Sequence, residues 1–359
     1  MSHEQAKKDE LAMACVIRWQ PKNEYPFNTI EINDRKGMYI MKNTCKFLFL
    51  VLVFALFAPA SLADETVGVI QFATHPSLDN CYQGFAEGLG EGYAIDYQNA
   101  TADMSVSDLQ AKTMVSQGHQ MLAGIATPSA MSCYAATRGT GIPVVFIAVS
   151  DPVAAGIVQS IEAPGGNCTG VSDVLNFDAQ LQMIRAFLPE ARTIGVIYTT
   201  SEPNSISHLS SFQEIAPKYG FTVEAVGITG PSEVGSATSS LVAKGVDCLN
   251  NFTDNNVVDN LPLVLHVTNA AGIPVFGSEV EQVVNGCLGA QGIDYVALGR
   301  KAGEIARDIL TGKADPATTP VVQVSDVTPC YNSKVAEALG ILLPDAFKDT
   351  GITDVSSNQ

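Results

Sequence analysis

Two stretches 127 residues apart constrain the fold of this chain more than any other feature. Val67-Gly68-Val69-Ile70-Gln71-Phe72-Ala73-Thr74-His75-Pro76-Ser77 is one, and Ile194-Gly195-Val196-Ile197-Tyr198-Thr199-Thr200-Ser201-Glu202-Pro203-Asn204 is the other. Each is a short apolar run that ends in a polar turn, with proline at the start of the helix that follows. Superimposed, Gly68 falls on Gly195, Ile70 on Ile197 and Pro76 on Pro203. The same offset puts Gly118 on Gly245, and Ala126-Thr127-Pro128-Ser129 on Thr253-Asp254-Asn255-Asn256. Gly141-Ile142-Pro143-Val144 recurs as Gly272-Ile273-Pro274-Val275, now 131 residues on. A drift of four residues over that distance suits two copies of one fold with unequal loops.

Between and beyond these stretches, apolar runs of strand length alternate with segments of helical spacing. The first copy reads as strands Val67–Phe72, Ala94–Gln98, Met121–Ala126, Ile142–Val149 and Thr169–Ser172, with helices Ser77–Glu91 and Ser107–Gln117 and a further one opening at Thr127. The second reads as strands Thr193–Tyr198, Thr222–Gly227, Asp247–Phe252, Ile273–Phe276 and Gly286–Ala290, with helices near Ala179–Phe187, Ser205–Tyr219, Val234–Lys244 and Val257–Ala271. Alternation of this kind predicts an α/β protein of two similar doubly wound parallel-sheet lobes joined by a multi-strand hinge. The expected first lobe takes residues 64–173 and, through an amphipathic helix Tyr295–Leu310, 293–316. Residues 174–292 form the second lobe, and 317–359 supply a hinge strand, Val321–Ser325, and a last helix, Asn332–Leu339, assigned to neither.

The N-terminus is read separately. Lys42 and Lys46 precede an apolar run from Phe47 to Ala58, then Pro59-Ala60-Ser61-Leu62-Ala63-Asp64. That pattern predicts a signal peptide over 41–63, cleaved after Ala63, and hence a periplasmic protein. Signals of this kind act from the very N-terminus, so residues 1–40 are expected to be a misassigned upstream extension, with translation starting at Met41 or Met38. The chain from Asp64 onward then carries 12 basic and 31 acidic residues, net −19. Such a balance argues against nucleic acid and anionic membrane surfaces as partners. Six cysteines remain, Cys81, Cys133, Cys168, Cys248, Cys287 and Cys330, with no Cys-x-x-Cys pair and no metal-ligand spacing. Their number leaves disulfides and buried thiols equally open.

In open parallel sheets, ligands lie at the carboxyl ends of the strands. Those corners carry Thr74, His75 and Ser77; Thr127 and Ser129; Ser150 and Asp151; Ser201, Glu202, Asn204 and Ser205; Thr253, Asp254 and Asn255; and Asp294. Phe72, Tyr198 and Phe252 end strands beside them. The set holds hydroxyls, amides and carboxylates but no lysine or arginine, which disfavours phosphates and dicarboxylates. A zwitterion fits. Helix-start N–H groups with Thr127, Ser129 or Ser77 face its carboxylate, Asp254 and Asp294 its ammonium, and Ser201, Asn204 and Ser205 close from the second lobe. Taken singly, a serine, threonine or asparagine at such a turn is more often a helix cap, and Asp294 can simply cap the helix it opens. No dinucleotide fingerprint, phosphate loop, nucleophile elbow or zinc helix is present, so the chain is read as a non-enzyme with no cofactor and no metal.

The run Gln71-Phe72-Ala73-Thr74-His75-Pro76-Ser77-Leu78-Asp79 resembles the opening of the periplasmic substrate-binding proteins of ABC transporters, closest to their aromatic amino acid branch. Thr127-Pro128-Ser129-Ala130, Ala148-Val149-Ser150-Asp151-Pro152-Val153, Pro164-Gly165-Gly166-Asn167, Ser201-Glu202-Pro203-Asn204-Ser205, Thr253-Asp254-Asn255 and Gly292-Ile293-Asp294-Tyr295 extend the resemblance in order along nearly the whole exported chain. It implies a monomeric two-lobed clamp of the type I periplasmic class that closes on a small ligand, an aromatic amino acid in this branch. The closed clamp then docks on a membrane permease with its ATPase. Two other readings stay open at this point: a periplasmic sensor presenting the ligand to a receptor kinase, and a secreted α/β enzyme.

Overall fold

The computed structural model describes residues 65–325, 327–348 and 351–358. The expected signal peptide and the residues before it lie outside that range. Among the described residues, no helix is long and apolar enough to cross a membrane.

The first sheet has six parallel strands in the order β11-β5-β4-β3-β1-β2. They are β1 (Glu65–Gln71), β2 (Tyr93–Asn99), β3 (Met121–Ile125), β4 (Val144–Ile147), β5 (Cys168–Asp173) and, from far along the chain, β11 (Val322–Val324). β3, β4 and β5 are buried at every residue, as strands covered by helices on both faces must be. Helices α1 (Pro76–Leu89), α2 (Met104–Gln117) and α3 (Thr127–Thr137) connect them. Asp103 caps α2, accepting from Ser105 and Val106 N–H. That helix therefore starts three residues ahead of the expected Ser107.

The second sheet, β7-β6-β8-β9, is also parallel: β6 (Thr193–Thr199), β7 (Thr222–Ile228), β8 (Cys248–Asn250) and β9 (Val275–Phe276). Its helices are α4 (Phe177–Phe187), α5 (Pro203–Ile215), α6 (Val234–Ala243), α7 (Asn255–Asp259) and α8 (Leu261–Ala271). The single helix expected over Val257–Ala271 is thus two. Pro262 cannot continue α7 but suits the first turn of α8. After the short α9 (Val280–Val284), β10 (Gly289–Gly292) pairs antiparallel with β12 (Thr328–Tyr331), and β13 (Thr353–Asp354) lies parallel beside β12. β12 has no counterpart among the expected strands; in it Pro329 stands opposite Gln291. The last helices, α11 (Ser333–Leu339) and α12 (Asp345–Lys348), follow. Ala336, Val335, Leu343 and Phe347 pack into the core around Phe187 and Phe276, so this tail lies on the second sheet.

One long helix returns to the first sheet. α10 (Tyr295–Leu310) buries Leu298, Ala302, Ile305, Ala306 and Ile309 in the core of β1, β3 and β4. It lies on α1 with backbones in contact. A Cβ at Gly84 would overlap the Val296 carbonyl oxygen and sit 2.7 Å from Arg300 N. One at Gly88 would overlap the Arg300 carbonyl, and one at Gly303 would meet Phe85 O and, at 2.6 Å, Leu89 N. Gly84-x-x-x-Gly88 thus faces Gly299-x-x-x-Gly303 along a seam that no larger residue fits. The chain crosses between the first sheet and the rest of the fold three times: after β5, after β10, and between β11 and β12, where β10, β12 and β13 form a small third sheet. All six cysteines carried into the described region are free and buried.

Candidate functional site

The strand ends of the two sheets meet across a cleft lined from the first sheet by His75, Leu78, Ala126, Thr127, Ala148, Ser150 and Asp173. Asn204, Thr253, Asn255 and Glu279 line it from the second, and Tyr295 from the first turn of α10. Right-handed crossovers put these corners on one edge of each sheet. The backbone is strained there: Ala126 and Ala148, directly after β3 and β4, hold φ of 74° and 56°. Such values cost a non-glycine residue on the order of 1–3 kcal/mol and gather at functional sites. The space left in the cleft is about 10 Å³, room for one water. The structure is closed.

Hydrogen bonds between residues of the two sides hold it so. Ser77, on α1, donates to Glu279 at 2.7 Å and Glu281 at 3.2 Å, and Asn80 donates to Glu281 at 2.7 Å. Beyond the cleft, Ser207 on α5 donates to Asp151 at 2.9 Å. His75 and Glu279 also wall an adjoining groove of about 400 Å³, whose apolar side is Val258, Leu261, Pro262 and Leu265.

The cleft is electronegative. Asp173 ends β5 and accepts from Ser150 at 2.9 Å and from the Tyr295 hydroxyl at 3.0 Å. Burial nevertheless pushes it up to about 6. Burial and then the neighbouring Glu281 charge push Glu279 up to about 8, and burial raises Glu281 as well. Burial lowers His75 to about 4, so its ring is neutral at pH 7. No lysine or arginine lines the cleft. Four polar atoms of cleft-lining residues have no hydrogen-bond partner: His75 Nδ1, Thr127 Oγ1, Asn204 Oδ1 and Thr253 Oγ1. Buried polar groups are rarely left unpaired without reason, and four at one cavity mark where a polar ligand would supply the partners. Thr127 also opens α3, with the free N–H groups of a first turn and Pro128 behind it. Among the described residues, no cluster of side chains could hold a metal ion.

The residues singled out in the sequence divide into two groups. His75, Thr127, Asn204, Thr253 and Asn255 line the cleft. Ser77 borders it through Glu279, and Asp151 joins the two sides at its rim. The others do different work. Asp254 is wholly buried and caps α7, with its carboxylate accepting from Thr199 N at 2.6 Å, Thr199 Oγ1 at 2.8 Å, Ser205 Oγ at 2.5 Å and Val257 N at 3.1 Å. Those bonds take up Asp254 and Ser205 together. Asp294 is exposed and caps α10 through Ala297 N. Ser129 pairs with Ser107 at 3.2 Å, and Phe72 lies in the core. Thr74 is exposed, accepts from Asn99 and faces the outer groove, and Ser201 is exposed. Asp173, Glu279 and Tyr295 were missed. Asp173 ends a strand and Glu279 follows β9 by three residues, so the strand-end rule reaches both.

A cleft between two parallel-sheet lobes, lined by polar strand ends, defines the class, and comparison agrees. The chain belongs to the family of ABC transporter substrate-binding proteins, whose model matches residues 66–351. It is 40% identical over 286 residues to the tyrosine-binding protein of Clostridioides difficile (strain R20291), covering 78% of this chain and 82% of that one. Among solved structures, an ABC domain from Streptococcus pneumonia in complex with L-Trp is 34% identical with a TM-score of 0.77, covering 81% of this chain and all of that one. The ligand-free, open structure of a substrate-binding protein with adhesive properties from Clostridium difficile is 38% identical, covers 81% of this chain and 98% of that one, and scores 0.61. The open structure fits less well despite its higher identity. This is the expected ranking when the present clamp is closed.

Proposed function

We propose that this chain is the periplasmic solute-binding component of an ABC importer and that its ligand is an aromatic amino acid, held in the interlobe cleft. The observation that carries the reading is the cleft's division into acceptors and donors. Asp173, Glu279 and Asn204 Oδ1 accept, which suits an ammonium. Thr127 Oγ1, Thr253 Oγ1 and the first-turn N–H groups of α3 donate, which suits a carboxylate. The ammonium role expected of Asp254 and Asp294 passes to Asp173 and Glu279, because the first two are engaged in capping. The tyrosine- and L-Trp-binding relatives support the choice of an aromatic side chain.

Carboxylates crowded in a closed cleft oppose closure until a cation joins them. An ammonium therefore binds the closed form better than the open one, and that difference drives the clamp shut. In the proposed division, residues 64–173 and 293–316 move against 174–292 about the three crossings. The closed form docks on the permease and its ATPase outside the cytoplasm. Isothermal titration against tyrosine, tryptophan and phenylalanine tests the ligand: at least one binds with 1:1 stoichiometry. Binding of none of them, with heat from other solutes, would overturn the ligand class.

A further inference from the structure

Glu202 stands behind the cleft wall rather than in it, 2% exposed at the start of α5. Its carboxyl group is surrounded by donors. Its Oε2 accepts from Asn255 N at 3.1 Å, Asn255 Nδ2 at 2.7 Å and Asn204 Nδ2 at 3.3 Å, and its Oε1 from Asn256 Nδ2 at 3.2 Å. Burial, then the charge of Asp254, raise it above the ordinary glutamate range.

A carboxyl oxygen that accepts these bonds dictates which end of each amide turns toward it. Asn204 must present Nδ2, which also donates to Thr253 O at 3.0 Å, and this leaves Oδ1 on the opposite side of the amide, without a partner, on a residue that lines the cleft. Asn255 likewise presents Nδ2 to Glu202. The His75 ring lies against the Asn255 side chain, and its Nδ1 has no hydrogen-bond partner.

We propose that Glu202 is a positioning residue that never touches the ligand but sets a cleft acceptor, Asn204 Oδ1, so that the site selects an amine over a hydroxyl on the ligand's α-carbon. This rests on the amino-acid reading above. An ammonium brings three N–H donors to such acceptors, whereas an α-hydroxy acid brings one O–H. The amide orientations therefore decide between the two ligands more than they decide total affinity.

The test compares tyrosine with its α-hydroxy counterpart, 4-hydroxyphenyllactate, by isothermal titration on wild type, Glu202→Met and Glu202→Gln. Methionine keeps the volume and removes both acceptors. Glutamine can keep an oxygen at the Oε2 position, and Asn256, which now donates to Oε1, can turn its own amide to accept from the new NH2, so glutamine acts as the rescue. The expected result is a preference for tyrosine that falls tenfold or more in E202M and stays within about threefold of wild type in E202Q. If E202M weakens both ligands by one factor, the residue is merely structural and the proposal fails. In the ligand-free wild type, the side-chain amide protons of Asn204 and Asn255 exchange slowly by NMR; fast exchange of both refutes the anchoring even where E202M does not fold. Wild type binding no aromatic amino acid would overturn the ligand reading alone, and the exchange measurement would still decide the role of Glu202.

Discussion

Gly88→Ala is a severe test of the seam between α1 and α10, because two effects of opposite sign compete there. In a free helix the change stabilises by about 1 kcal/mol, since alanine loses less backbone entropy. Here the new Cβ would overlap the Arg300 carbonyl oxygen and stand 2.9 Å from its carbon and 3.0 Å from its Cα, where ordinary contact begins at 3.4 Å. The obstacle is backbone, so no rotamer change relieves it. α10 must withdraw, opening the packing of Leu298, Ala302 and Ile305 against Phe85 and Leu89. Overpacking of this kind costs about 1–3 kcal/mol, and more when backbone must move. The expected net loss is about 2 kcal/mol, a fall in Tm of roughly 4–8 °C for a chain of this size. Gly235→Ala, in α6, is the control: its nearest neighbour is the Leu263 side chain at 3.1 Å, itself 40% exposed and free to swing. That variant should hold or raise Tm. Because α10 carries Tyr295 into the cleft, Gly88→Ala should also weaken ligand binding while leaving the second sheet intact. Equal melting temperatures for the two variants would refute the close-packed seam.

Other perturbations give separate outcomes. Asp173→Asn removes a cleft carboxylate while keeping a partner for Ser150 and Tyr295, and should weaken an ammonium ligand at least tenfold by titration with little change in Tm. Asp254→Ala should do the reverse, lowering stability by about 3 kcal/mol or more because Thr199 N–H, Thr199 Oγ1 and Ser205 lose their buried acceptor, as read by denaturant unfolding. The ligand-free clamp should respond to pH. Closure raises Glu279 to about 8 and Asp173 to about 6, so it takes up protons. The closed form is therefore fully favoured below about 4, loses ground as pH rises through 6 and then 8, and is least favoured above that. Small-angle scattering of the ligand-free protein should show a larger radius at pH 9 than at pH 5, and an unchanged radius would contradict the assignment.

Much of this architecture could be read from residues alone, and the reason is local. The repeat at 127 residues marks β1 and β6 because a buried parallel strand must be a short apolar run, and proline suits only the helix start after it. The strand-end rule then finds His75, Thr127, Asn204, Thr253 and Asn255 without three-dimensional information. What it cannot do is tell a cap from a contact. Asp254 and Asp173 both lie at strand ends and are equally acidic. Only the surroundings separate them: Asp254 meets Thr199, Ser205 and Val257 of its own sheet, whereas Asp173 meets Ser150 and the distant Tyr295 at the cleft. Tyr295 reaches the site through helix packing across more than 200 residues of chain, and the glycines that permit it look ordinary in a sequence.

The three crossings have a consequence for the order in which the molecule can be assembled. The core of β1, β3 and β4 is completed by Leu298, Ala302, Ile305 and Val321, so it remains open on one side until the chain has been supplied almost to its end. Closing that core joins residues far apart in sequence, which makes its formation slow. The second sheet draws its strands from one unbroken stretch, and only the tail packed around Phe187 and Phe276 joins it from the far end of the chain. A chain built this way stays incompletely folded while it is being made, the condition in which a polypeptide can still be threaded through a narrow pore.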